Sequence, residues 1–150
     1  MKQAPKLLPP QLAALAALAM VAVHVLFPVS TVVTPPLSLI GFVPLAAGGA
    51  VVVWARGAFT EAGTPIRPFT ESTALLTHGL YRYSRNPMYV GALLVLSGVA
   101  ILLGTVGPML VVPPFVVVLQ LRFIRLEEKL LETTFGERYR AYRASVRRWV

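Results

Sequence analysis

Two short stretches of this 150-residue chain hold most of its chemically versatile side chains. The first, residues 77–91, reads Thr77-His78-Gly79-Leu80-Tyr81-Arg82-Tyr83-Ser84-Arg85-Asn86-Pro87-Met88-Tyr89-Val90-Gly91. It gathers a histidine, two arginines, an asparagine and three tyrosines around a helix start, because Asn86 suits an N-cap and Pro87 the first helical position. A helix N-terminus with arginine beside it is a ready site for a carboxylate or a phosphate. Gly79 permits a positive φ or close approach to the backbone. A plainer reading uses the same residues: the tyrosines form an interfacial belt, and Arg82 and Arg85 meet lipid phosphates.

The second stretch, residues 122–136, reads Arg122-Phe123-Ile124-Arg125-Leu126-Glu127-Glu128-Lys129-Leu130-Leu131-Glu132-Thr133-Thr134-Phe135-Gly136. It is expected to be helical, with Gly136 as its stop and with surface ion pairs such as Arg125 with Glu128 and Glu132. Adjacent glutamates point ~100° apart on a helix, so one of Glu127 and Glu128 is expected inside and the other in water. A buried glutamate beside a cationic ligand is well used, whereas an unpaired one is costly. Beyond Gly136, Phe135, Tyr139, Tyr142, Val146 and Trp149 form an apolar stripe at helical spacing, with arginines on the other faces. That pattern predicts a C-terminal amphipathic interfacial helix on the inner leaflet, as a lid or an anchor.

The elements that position these stretches are apolar. Hydrophobic residues make up 56% of the chain and the mean hydropathy is +0.70, more apolar surface than one soluble core can hide. Four apolar runs, at about 11–29, 37–54, 88–103 and 108–123, are each close to the ~20 residues a helix needs to cross a bilayer. The expectation is an all-α integral membrane protein of one domain, 1–150. Its four transmembrane helices form two hairpins, and both termini are cytoplasmic. The orientation follows from charge. All 14 basic residues fall at Lys2 and Lys6, at Arg56, Arg67, Arg82 and Arg85, and from Arg122 to Arg148, and the positive-inside rule makes those regions cytoplasmic. A competing reading makes residues 1 to about 30 a cleaved signal peptide.

Several function classes are disfavoured. The net charge of +8 does not indicate nucleic acid, because the basic residues are not spread over a solvated surface. Cysteine is absent, which removes thiolate metal sites and cysteine nucleophiles, and no metal site is expected. The apolar runs carry only His24, Ser38, Ser97 and Gln120 as notable polar residues, which argues against transport. His24 is expected to bond a neighbouring helix. Pro44, Pro113 and Pro114 are expected to interrupt spans, and Gly41, Gly48, Gly49, Gly91 and Gly98 to let helices approach closely.

The run from His78 to Arg82, then Arg85-Asn86-Pro87-Met88-Tyr89-Val90-Gly91, followed by Arg125-Leu126-Glu127-Glu128 and Phe135-Gly136 with Tyr139 and Tyr142, resembles the isoprenylcysteine carboxyl methyltransferase and phospholipid methyltransferase superfamily. The likeness covers roughly residues 57–150. It implies an integral membrane methyltransferase, binding S-adenosylmethionine in a cytoplasm-facing pocket that a lipophilic substrate enters from the bilayer. Cofactor contacts are implied for His78, Gly79, Leu80, Tyr81, Arg85, Asn86, Pro87, Tyr89, Glu127 and Glu128, with Arg85, Glu127 and His78 nearest the chemistry. Eukaryotic isoprenylcysteine enzymes carry Arg-His-Pro where this chain has Arg85-Asn86-Pro87, and asparagine cannot serve as a titrating base. The compact four-span layout is closer to the phospholipid methyltransferase-like members. The implied reaction is methyl transfer to a carboxylate, amine or thiol, in the bacterial inner membrane. The alternative is a non-enzymatic membrane subunit whose basic face binds anionic lipid or a protein partner.

Overall fold

The computed structural model describes residues 7–65 and 73–150; Lys2, Lys6 and Arg67 lie outside them. Among the described residues six α-helices run in order: α1 (Pro9–Leu26), α2 (Phe42–Glu61), α3 (Pro87–Leu103), α4 (Val106–Leu119), α5 (Arg125–Phe135) and α6 (Glu137–Ser145). Single 3₁₀ turns at Leu37–Gly41 and Gly79–Arg82 precede α2 and α3. A π turn, Gln120–Ile124, joins α4 to α5 in one continuous rod, Val106–Phe135. Three helices are long and apolar enough to cross a membrane, and α3 at 17 residues is a shorter apolar helix beside them. The chain is an integral membrane protein.

Local chemistry explains where the helices depart from the expected ranges. The first was expected to reach 29 but ends at Leu26, because Phe27 precedes Pro28 and a residue before proline avoids helical backbone. Pro44 does not interrupt the second helix. That helix begins at Phe42, so Pro44 sits in its first turn, where the missing N–H has no intrahelical partner to lose. Pro113 and Pro114 lie inside α4, which continues helical through them.

Helix pairing follows the small residues rather than chain order. Among the described residues α2 packs chiefly on α3 and α1 on α4, while the consecutive helices α1 and α2 hardly touch. Gly48 faces Gly91 and Gly41 faces Gly98: a Cβ added at Gly48 would lie 2.5 Å from Gly91 O, and one at Gly41 2.6 Å from Gly98 O. Such approach yields dispersion contacts that replace the missing hydrophobic drive in lipid. Gly49, expected in the same role, meets nothing. At the end away from the basic residues the two links interlock. Val32 and Val33 donate to Gly104 O at 2.8 and 3.1 Å, and Val106 donates to Ser30 O at 3.2 Å. His24 Nδ1 lies 2.9 Å from Thr105 Oγ1, the inter-helix bond expected of it.

Gly48→Ala is therefore expected to lower stability by about 1–3 kcal/mol through overpacking, with Gly49→Ala near neutral. Thermal unfolding of both variants in one detergent is the check, and equal melting would remove the packing argument.

Candidate functional site

The basic ends of the helices enclose a cavity of about 720 Å³. Its floor and walls are apolar: Ala13 and Ala17 from α1, Val95 and Leu96 from α3, Phe115 and Leu119 from α4. Its head is polar, supplied by Tyr81, Arg85, Asn86, Glu127, Glu128 and the phenols of α6.

The polar head is assembled around Glu128, which is 8% exposed. Arg148 grips it in bidentate fashion, Nε to Oε1 at 2.8 Å and Nη2 to Oε2 at 2.7 Å. Arg85 Nη1 adds a third contact to Oε1 at 3.0 Å. Fork-to-carboxylate pairing fixes geometry as well as charge. The main chain follows the same path. Arg85 N–H donates to Arg147 O at 3.0 Å, Asn86 Nδ2 to Arg148 O at 2.9 Å, and Ser84 Oγ to Arg148 O at 3.4 Å. Residues 147–148 thus strap over the start of α3. Arg85 Nη1 also donates to Tyr139 Oη at 3.4 Å, while Arg85 Nε is buried without a hydrogen-bond partner among the described residues.

Glu127 is held differently. Its Oε1 accepts from Tyr89 Oη at 2.7 Å, and it makes no ion pair among the described residues. The π turn brings it there. A straight α-helix turns ~100° per residue, which would put Leu126 on the face of Leu119. The wider turn takes up about one extra residue, so Glu127 arrives at the cavity instead. Both glutamates line it, rather than one facing water. The surface pairs expected for Arg125 do not form: Glu128 belongs to Arg85 and Arg148, and Glu132 to Arg140 and Arg143.

The tail also differs from the expectation of a helix on the leaflet. Helix α6 ends at Ser145, and Tyr139 and Tyr142 are 1% and 8% exposed. Their stripe is buried against protein: Tyr142 Oη donates to Tyr81 O, and Trp149 packs on the core of α1, α3 and α4. Burial raises the Tyr142 phenol from 10.0 to about 12 and raises Tyr81 and Tyr139 as well, so all three are hydrogen-bond donors at neutral pH.

Of the ten expected cofactor contacts, the structure brings together Tyr81, Arg85, Asn86, Pro87, Tyr89, Glu127 and Glu128. It does not bring in His78, Gly79 or Leu80. His78 and Gly79 are exposed, His78 as the residue before the 3₁₀ turn and Gly79 with φ +60°. Sequence reasoning missed Arg148, Tyr139, Tyr142 and Arg56 as site residues. The last was visible as a lone cation at the foot of an apolar helix, between Val52 and Phe59; Arg56, Tyr139 and Tyr142 line the cavity, and Arg148 acts on it through Glu128.

A buried ionic head on an apolar cavity inside a membrane bundle offers complementary surfaces to a ligand with polar and lipophilic parts. Residues 37–138 match the phospholipid methyltransferase family, and the chain belongs to it. A similar solved structure is that of the eukaryotic intramembrane Ras methyltransferase, isoprenylcysteine carboxyl methyltransferase. It superposes with a TM-score of 0.68 at 24% identity, over 89% of this chain and 49% of that one. The chain therefore spans about half the length of that structure, and the likeness establishes the fold. No curated protein matches the sequence.

Glu128→Ala strands Arg85 in a buried position and is expected to cost about 3–5 kcal/mol. Arg148→Gln should cost less, because the Arg148 side chain is 34% exposed. Denaturation of the two variants in detergent checks the order, and the reverse order would refute the assignment of Glu128 as the hub.

Proposed function

We propose that the chain transfers a methyl group from S-adenosylmethionine to a lipophilic carboxylate, amine or thiol that reaches the cavity from the bilayer, at the cytoplasmic face of the bacterial inner membrane. The observation that carries this reading is one cavity joining an apolar floor to a buried donor without an acceptor and a carboxylate without an ionic partner among the described residues. Arg85 Nε is a buried donor with no acceptor, suited to a carboxylate. Glu127 is a carboxylate with no cationic partner among the described residues, suited to an ammonium or sulfonium. A zwitterionic, sulfonium-bearing cofactor complements both, so the residues present fit it. The described arginines lie at this end of the bundle, and the links at the other end, 27–36 and 104–105, carry none. That asymmetry supports four crossings with the cavity inside.

When bound, the cofactor supplies a methyl group already activated by its sulfonium. The protein's task is to position and to exclude water. Arg85 and the start of α3 would hold the carboxylate end, and Glu127, fixed by Tyr89, would meet the positive charge. Asn86 and Arg148 brace that arrangement from behind. Tyr81, Tyr139 and Tyr142 close the polar head, and Arg56 of α2 adds a further cation to the cavity lining. A carboxylate acceptor needs no general base. His78, exposed outside the cavity, takes no proton in this scheme.

Calorimetric titration of S-adenosylmethionine and S-adenosylhomocysteine into purified protein is expected to show saturable binding, about one per chain. Arg85→Lys and Glu127→Gln should each weaken it at least tenfold, ~1.4 kcal/mol, since a lysine does not reproduce the guanidinium's donors. Unchanged binding in both variants would sink these assignments. No binding in folded wild-type protein in nanodiscs would shift the reading to a lipid- or partner-binding subunit.

A further inference from the structure

A second recess, of about 510 Å³, opens between the 3₁₀ turn and α6, with Thr77 and Arg82 on one side and Arg138, Tyr142 and Ser145 on the other. Among the described residues no acidic one lines it. The acids nearest in sequence to Arg138 are engaged elsewhere, Glu132 with Arg140 and Arg143 and Glu137 with Arg140. Neither Arg82 nor Arg138 has an ionic partner among the described residues. The Arg82 guanidinium carbon lies 5.2 Å from the centroid of the Tyr83 ring, which restrains it. Tyr83 is itself 64% exposed, and Arg82 comes just before α3 begins at Pro87, at the level where a membrane helix emerges among headgroups.

We propose that this recess binds the phosphate of an anionic phospholipid headgroup, with Arg82 and Arg138 as its two cationic clamps and the Thr77 hydroxyl as a further donor. Two uncompensated arginines favour a net negative headgroup over a zwitterionic one, whose ammonium they would repel. The shared chemistry is phosphate, whether from a lipid or from solution. The position beside an emerging helix selects the lipid. Tyr142 lines this recess and the methyl-transfer cavity alike. A phosphate bridging Arg82 to Arg138 therefore ties the 3₁₀ turn to α6 and holds α6 over the cavity head. The binding stands by itself, and only its effect on closure rests on the function proposed above.

The test is native mass spectrometry of the full chain in detergent, titrated with phosphatidic acid or phosphatidylcholine and with no cofactor present. One phosphatidic acid per chain is expected above the phosphatidylcholine background. Arg82→Gln with Arg138→Gln should weaken it at least tenfold, and Arg122→Gln with Arg125→Gln, which removes equal charge elsewhere, should not. Amide exchange of residues 137–145 should slow with phosphatidic acid in the wild type and not in the Arg82/Arg138 variant. If inorganic phosphate alone slows that exchange as much, and the same two substitutions abolish the effect, the clamp stands and its phosphate comes from solution. Equal losses in both double variants, or none in either, overturn the proposal. The readout uses neither cofactor nor turnover, so its failure leaves the methyl-transfer reading intact.

Discussion

A carboxylate taken out of water at the head of a membrane bundle must be compensated, and Glu128 is the group on which the site converges. Removing a carboxylate from water costs several kcal/mol unless opposite charge and hydrogen bonds surround it. Arg148 and Arg85 supply that compensation, and in doing so they join three parts of the chain that lie far apart in sequence: the approach to α3, the first turns of α5 and the segment after α6. Glu128 cannot be held without bringing Arg85 to the cavity and drawing residues 147–148 across the start of α3. The polar head is thus one electrostatic unit, braced from its outer side by the chain's last turn.

The bundle beneath obeys a different constraint. In lipid the helices gain nothing by hiding apolar surface from one another, so they pair where small residues let backbones meet. Gly41 and Gly48 against Gly98 and Gly91 set α2 on α3. That leaves α1, α3 and α4 to wall most of the cavity with apolar side chains, and Val52 and Phe59 of α2 complete it. The division of labour is spatial: close packing holds one side of the bundle, and the other side retains room for a lipophilic group under an ionic roof.

Much of this was legible in the sequence. Hydropathy and length placed the apolar helices, the lone His24 found its partner across the links, and the Arg85-Asn86-Pro87 and Glu127-Glu128 stretches do meet in one cavity. What could not be read was whichever feature depends on pairing between distant residues. Arg148 looked like one of several tail arginines, because nothing local marks the one that reaches Glu128. The stripe of Tyr139 and Tyr142 predicted a buried face correctly, but an amphipathic pattern is the same whether lipid or protein covers it. His78 stood out by residue type alone and lies outside the cavity. The orientation of both glutamates was missed because a π turn leaves no reliable trace in an apolar sequence.

That turn makes the site's geometry a matter of reading frame along a single rod. Residues 120–124 hold, in effect, one surplus residue, and every side chain of α5 faces where it does because of it. Loss of one residue there would restore a plain helix, just as membrane-compatible, and leave Glu127 on the face of Leu119, whereas a straight helix that kept every residue would turn Leu126 to the cavity instead. Chains of this architecture can therefore take up or lose a single codon at this turn and keep the ionic cavity head, without disturbing the helices that surround it.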